Sequence, residues 1–120
     1  MKTKTRKQSI ASLQKKADHL LQLKFVANNP TCIVCGDKTN CGHHVIYKSQ
    51  SAYLRYNMDN LVPLCMSCHC KHHQSGDSEI LATILQIKGD MWYVGLQAAR
   101  HILQKTNKGY LLSIIKELEE

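Results

Sequence analysis

The stretch LVPLCMSCHCKHH, residues 61–73, passes from an apolar tetrad into Cys65-x-x-Cys68 and then into three histidines. The tetrad reads as a short buried strand, and the C-x-x-C as a tight knuckle from which a helix starts. On that helix His69 and His73 are spaced i, i+4 and share a face, a workable metal pair. His72, at i+3 from His69, points nearly the same way, so spacing alone does not separate 72 from 73. A matching knuckle, Cys32-Ile-Val-Cys35, lies upstream with 29 residues between the two pairs. Four thiolates so arranged suit one tetrahedral zinc ion at about 2.3 Å each. Gly36 follows the first pair, where the turn calls for a residue free of Cβ strain. No export signal is visible, so disulfides are not expected. Cys41 and Cys70 fall outside the frame and read as small buried residues.

The frame encloses CGHHVIYKSQ, residues 41–50. Neighbouring side chains on an extended chain point to opposite faces. If His43 takes a metal, His44 faces the other way and is free to act as a base, with an ordinary pKa near 6.5. Asn60 stands just before the apolar tetrad. Its side-chain carbonyl is placed to accept the Nδ1–H of His44, which leaves Nε2 free to take a proton from water. Five of the seven histidines fall within residues 43–73. That density, phased on a zinc frame, points to a second metal site rather than a polar loop.

The 120 residues carry a formal net charge of +7, enough chain for one domain with a core of its own. Residues 1–24 hold seven bases (Lys2, Lys4, Arg6, Lys7, Lys15, Lys16 and Lys24) against Asp18 alone, and the remainder is close to balanced. A basic end suits a polyanion, most plausibly nucleic acid. No apolar run approaches a membrane span. The expected setting is cytoplasmic, in a bacterial or phage-infected host cell.

The chain divides into a basic flexible arm (1–8), a helix (9–28), a Cys/His core (31–76) and a helical extension (77–120). Ile10, Leu13, Ala17, Leu20 and Leu21 recur at helical spacing, with Ser9 as cap and Asn28-Asn29-Pro30 as stop. Short strands are expected at 44–47 and 61–64. Asp77 or Ser78 caps the next helix, Gly89 ends it, and a further helix covers about 91–105. After Asn107-Lys108-Gly109 a last helix carries the stripe Leu111, Leu112, Ile115 and Leu118, which either completes the core or forms a homodimer contact.

His43-His44, Asn60, Leu61-Val62-Pro63-Leu64, Cys65-x-x-Cys68-His69 and His73 together resemble the HNH (ββα-metal) nuclease family. The resemblance implies an α+β fold, a ββα-metal (His-Me finger) core with zinc knuckles flanked by an N-terminal helix and C-terminal helices. It implies that His43 is the first metal ligand, a position often held by Asp, with His69 the second and His73 the third. It makes His44 the general base and Asn60 its orienting partner, and it makes Cys32, Cys35, Cys65 and Cys68 a structural zinc site. The helix KKADHLLQLKFV and the stretch GHHVIYKSQSAYLRYNMDN are further similar to the phage NinG (Rap) recombination nucleases, which cut branched DNA. LVPLCMSCH departs from that narrower pattern toward HNH proteins in general, which include packaging and restriction-type nicking enzymes. The implied activity is metal-dependent hydrolysis of DNA phosphodiesters with one catalytic divalent ion, Mg²⁺, Mn²⁺, Ni²⁺ or Zn²⁺. Lys48, Arg55 and Lys71 flank the cluster and are candidates for holding phosphates. The competing classes are a zinc-stabilised DNA-binding module without catalysis and a protein-interaction zinc domain. Neither explains the His-His pair, the Asn and the i, i+4 histidines together.

Overall fold

The computed structural model describes residues 8–75 and 78–120. Lys2, Lys4, Arg6 and Lys7 of the basic arm, and Asp77 as a cap, lie outside them. The fold is α+β, a two-stranded sheet and a Cys/His-bearing helix enclosed by further helices. No helix among the described residues is long and apolar enough to cross a membrane.

Helix α1 (Ile10–Asn28) begins where the Ser9 hydroxyl accepts from Ser12 N–H, 3.1 Å away. It ends where the Asn28 and Asn29 side chains donate to the carbonyls of Lys24 and Phe25. Both ends thus satisfy backbone groups that the helix leaves orphaned. Leu13, Ala17, Leu21 and Phe25, four residues apart, form its buried stripe. Against it packs the last helix, α6 (Lys108–Glu119), started by Asn107, whose Oδ1 accepts from Tyr110 N–H. Leu111 and Ile115 of α6 are buried in the same cluster as the α1 stripe, so that face completes the core. Leu112 stays outside it. Of the stripe, Leu111 and Ile115, with Leu118 in part, are thus engaged within the chain.

Strand β1 (Cys41–His44) pairs antiparallel with β2 (Leu61–Leu64), His43 opposite Val62 and His44 opposite Leu61. The first strand thus starts three residues earlier than the expected 44–47. Its run ends at His44, because beyond Val45 the backbone turns to bond with Asn60 rather than along β2. Between the strands lie the one-turn helix α2 (Ala52–Arg55) and a 3-10 turn, Met58–Asn60. Pro63 is tolerated because a two-stranded sheet leaves one side of β2 unpaired.

Gly42 is required by a close approach. A Cβ there would sit 2.8 Å from Phe25 Cδ2, so α1 lies directly on the strand. Gln22 of α1 closes this contact with two hydrogen bonds to the same residue: Nε2–H donates to Gly42 O (2.9 Å) and Oε1 accepts from Gly42 N–H (2.8 Å). A side-chain amide here takes the place of a neighbouring strand.

Helix α3 (Met66–Ser75) leaves β2 through the second knuckle. Helix α4 (Ser78–Lys88) packs Ile80 and Ile84 against Cys65, Cys68, Val62 and Leu64. Ser78 is its first residue. Gly89, at φ 90°, turns the chain into α5 (Asp90–Ala99). α5 is shorter than the expected 91–105. Leu96 is buried with Ile46 and Leu54, but Leu103 is 97% exposed, so nothing rewards another helical turn.

Candidate metal centres and the cleft between them

The first knuckle is a closed turn. Cys32 N–H donates to Asp37 O and Gly36 N–H to Cys32 O, with Gly36 at φ 81° as its position after the pair suggested. Ile33 N–H donates to Pro63 O, which ties this knuckle to β2 and so to the second knuckle. The four sulfurs of Cys32, Cys35, Cys65 and Cys68 lie within 4.8 Å of one another, Cys35 and Cys65 being 3.5 Å apart. Bonds of about 2.3 Å to one tetrahedral ion place sulfurs about 3.8 Å apart, so the donor set fits zinc. Three of the cysteines are buried, and only Cys35 is exposed. Burial pushes the Cys32 thiol up, but the backbone N–H groups of Cys35, Cys65 and Val34 outweigh it and bring it to about 7. Such a thiol gives up its proton to a metal readily. Cys41 and Cys70 stand outside the set and are half-buried rather than buried; the Cys41 thiol points at Leu64 O, 3.8 Å away.

One residue beyond Cys68 on α3 a different cluster begins. The ring nitrogens of His43, His69 and His73 converge within 4.8 Å, with Nε2 of His69 and His73 only 3.0 Å apart. Metal–nitrogen bonds of about 2.0–2.1 Å bring ligands to such spacing, so three imidazoles here fit one divalent ion. The His72 ring lies 4.7 Å from that of His43, centre to centre, yet His72 is not part of the convergent set. Burial, then the neighbouring rings of His72, His69 and His73, push the His43 pKa down to about 3. Burial, then His73 and His72, also lower that of His69. Imidazoles held neutral keep the lone pairs that a metal needs.

The cluster opens into a cleft of about 790 Å³ lined by His43, His44, Tyr47, Lys48, His69 and His73 among others. His44 Nε2 lies 2.8 Å from Arg55 O. A carbonyl only accepts, so Nε2 carries the hydrogen and Nδ1 keeps the free lone pair. This reverses the expected tautomer. Burial holds the His44 pKa below its ordinary value, with the Arg55 carbonyl pulling the other way.

Asn60 does not reach His44. It is fully buried; Oδ1 accepts from Ile46 N–H (2.8 Å), and Nδ2 donates to Ile46 O (2.8 Å) and Leu54 O (3.3 Å). It stands one residue before Leu61, His44's strand partner, and faces the loop that follows β1. Its amide pins that loop to the turn before β2, and it bears on His44 through the backbone at Val45 and Ile46 and beside Arg55.

Of the three candidate phosphate-binding bases, Lys48 lines the cleft and is exposed. Arg55 lines it too, but its guanidinium is forked onto Asp18 of α1, Nε to Oδ1 at 3.1 Å and Nη2 to Oδ2 at 2.7 Å. Lys71 is exposed on α3 and does not line the cleft. Sequence reasoning missed Asp18 and Gln22. The available signal was that each follows a stripe residue of α1, Ala17 and Leu21, and that Asp18 is the one acid in a basic segment.

A family model described as HNH endonuclease matches residues 32–75, the span from the first knuckle to the end of α3. The match supports the HNH family for this core and points to a nuclease or DNA-binding function. No curated protein and no solved structure matches the chain significantly.

Proposed function

We propose that the chain is a metal-dependent endonuclease that hydrolyses DNA phosphodiester bonds. The observation that carries this reading is a histidine, held at Nε2 by a backbone carbonyl, that lines the same cleft as three convergent imidazoles. His43, His69 and His73 would hold one divalent ion, and Cys32, Cys35, Cys65 and Cys68 a structural zinc. When bound in the cleft, the divalent ion supplies charge stabilisation at the scissile phosphate. His44 Nδ1 takes a proton from the attacking water, and Nε2–H, held by the Arg55 carbonyl, keeps the ring in the tautomer this needs. Lys48 holds a flanking phosphate. Water attacks phosphorus in line, and the 3′ oxygen leaves and takes up a proton from solvent, giving a 5′-phosphate and a 3′-hydroxyl.

A non-catalytic zinc module needs no base in the cleft, whereas His44 has both a defined tautomer and a pKa held low. Branched DNA, as in phage recombination, is the substrate suggested by the similarity to NinG-type proteins. The test is a cleavage panel with Mg²⁺, Mn²⁺, Ni²⁺ or Zn²⁺, or with chelator. Supercoiled plasmid, linear duplex, single strand, flap and four-way junction are the substrates. EDTA-sensitive cleavage is expected, fastest on the branched forms. DNA binding without cleavage under every metal would overturn the enzymatic reading, and equal rates on linear and branched duplexes would remove the branched preference.

A further inference from the structure

We propose that Asp18 is a positioning residue for the general base, acting through Arg55; the inference rests on His44 serving as that base. Arg55 is used twice. Its carbonyl accepts from His44 Nε2–H at 2.8 Å, while its side chain is forked onto Asp18 by two hydrogen bonds. The helix that carries it, α2, is a single turn of four residues. So short a helix has little stability of its own, and its terminal carbonyls have no partner within it. The place of the Arg55 carbonyl therefore depends on what holds the residue from outside. Asn60 holds the preceding carbonyl, and Asp18 holds the side chain.

The other half of the device lies one turn further along α1. Gln22 is at i+4 from Asp18, on the same helix face, and grips both backbone groups of Gly42, two residues before His44. One helix face thus fixes both the strand that donates His44 and the residue that receives its Nε2–H. The whole of α1 lies outside the stretch matched by the HNH family model. The arrangement also gives Arg55 a role other than phosphate binding. Two of its donors and its charge are already engaged, with the two side chains only 23% and 25% exposed. A fully exposed ion pair would be worth little; this one is half enclosed and bidentate, the geometry in which Arg and Lys are not interchangeable.

The test compares Asp18→Ala, Asp18→Glu and Arg55→Lys with the wild type, all zinc-loaded, with thermal melting and zinc content measured alongside. The first readout is the tautomer of His44, from long-range ¹H–¹⁵N correlation of its ring, and it needs no activity. The wild type should show the Nε2–H form, and Asp18→Ala a mixture with Nδ1–H. The second readout is kinetic. Asp18→Ala should lower kcat about ten- to a hundred-fold with KM unchanged, as expected when a group is misplaced rather than removed. Asp18→Glu should recover part of the loss, and Asp18→Ala should cost nothing further in a His44→Ala background. Arg55→Lys, which keeps the charge but loses the fork, should behave like Asp18→Ala; should Asp18→Ala not fold, Arg55→Lys decides.

An unchanged tautomer with unchanged kcat would make the pair merely structural. A raised KM at unchanged kcat would make Arg55 a phosphate ligand; either result overturns the proposal. If the wild type cuts nothing, the nuclease reading fails, while the tautomer still decides whether Asp18 positions His44.

Discussion

The two clusters share one helix and differ in what surrounds them. Cys65, just before α3, and Cys68 in its first turn face a core of Val62, Leu64, Ile80 and Ile84. His69 comes one residue after Cys68, about 100° around the helix, and that rotation is enough to carry it out of the core and into the cleft. The sulfur set is closed, with three of four ligands buried. In the nitrogen set His43 is buried, His69 half-buried and His73 exposed. Structural zinc sites are closed by their protein ligands, whereas catalytic ones keep a position open. The contrast teaches that a single helix can supply both kinds of site when one of its faces meets packed side chains and a neighbouring face meets an open cleft.

The strongest way to break this comparison is to remove one ligand from each cluster. Cys65→Ser, or stripping the zinc with a strong chelator, should abolish cooperative thermal unfolding, since a structural zinc contributes on the order of 10 kcal/mol to folding. His69→Ala should leave zinc content and melting nearly as in the wild type, and abolish cleavage. If His69→Ala unfolds the protein as Cys65→Ser does, the division of labour is wrong. Next in size is His44→Ala, expected to cost about 10²–10⁴ in rate while the fold and the zinc are kept. Plasmid nicking at wild-type speed by that variant would remove His44 from the chemistry.

A third test bears on what holds the cleft cluster in register. Gly42→Ala puts a Cβ 2.8 Å from Phe25 Cδ2, inside any real contact. The ring belongs to a packed core and has little room to yield. Overpacking of this kind costs about 1–3 kcal/mol, readable as a lower denaturation midpoint. It should also loosen the Gln22 clamp, so activity should fall by more than the lost stability alone explains. A variant as stable as the wild type would show that α1 does not bear on the strand as closely as its contacts indicate.

What could be read from the sequence divides along the same line. The cysteine frame was legible because two residues within a knuckle are close by covalent geometry, and two such knuckles bring four thiols to one tetrahedral site. The α1 stripe and the stops at Asn29 and Gly89 were legible because helix periodicity and capping are local; α6 starts two residues earlier than expected, at Lys108, because Asn107 caps it. The bound on α5 was not, since it depends on how far neighbours cover residues 100–105, where Ile102 and Leu103 are exposed. The partners of His44 and Asn60 were not legible either. Asn60 stands in the right place in the chain, yet its amide is consumed by Ile46 and Leu54, and the acceptor for His44 is a backbone carbonyl that any residue supplies. The Asp18–Arg55 pair spans 37 residues, and nothing local distinguishes it from two solvated charges.

The smallest expected effect comes from pH, and it separates the clusters without any large substitution. His44 is held below its ordinary pKa of 6.5 by burial, against the Arg55 carbonyl; Lys48 lowers it further, Asp18 raises it, and the Arg55 charge lowers it. A base must be neutral to work, so activity should be flat through neutral pH and fall once His44 takes up a proton. The lowered pKa places that acid limb below pH 6.5, with a loss of about ten-fold per unit beyond it. Lys48→Ala removes a nearby positive charge and should move the limb upward, toward neutral pH, by a fraction of a unit. The zinc frame answers acid by another route, since its thiolates must be protonated for the ion to leave. Zinc release, followed with a colorimetric chelator over the same pH series, should begin at lower pH than the loss of cleavage. Cleavage lost in the presence of bound zinc should return on neutralisation. If zinc and activity leave together, the acid limb belongs to the cysteines and not to His44.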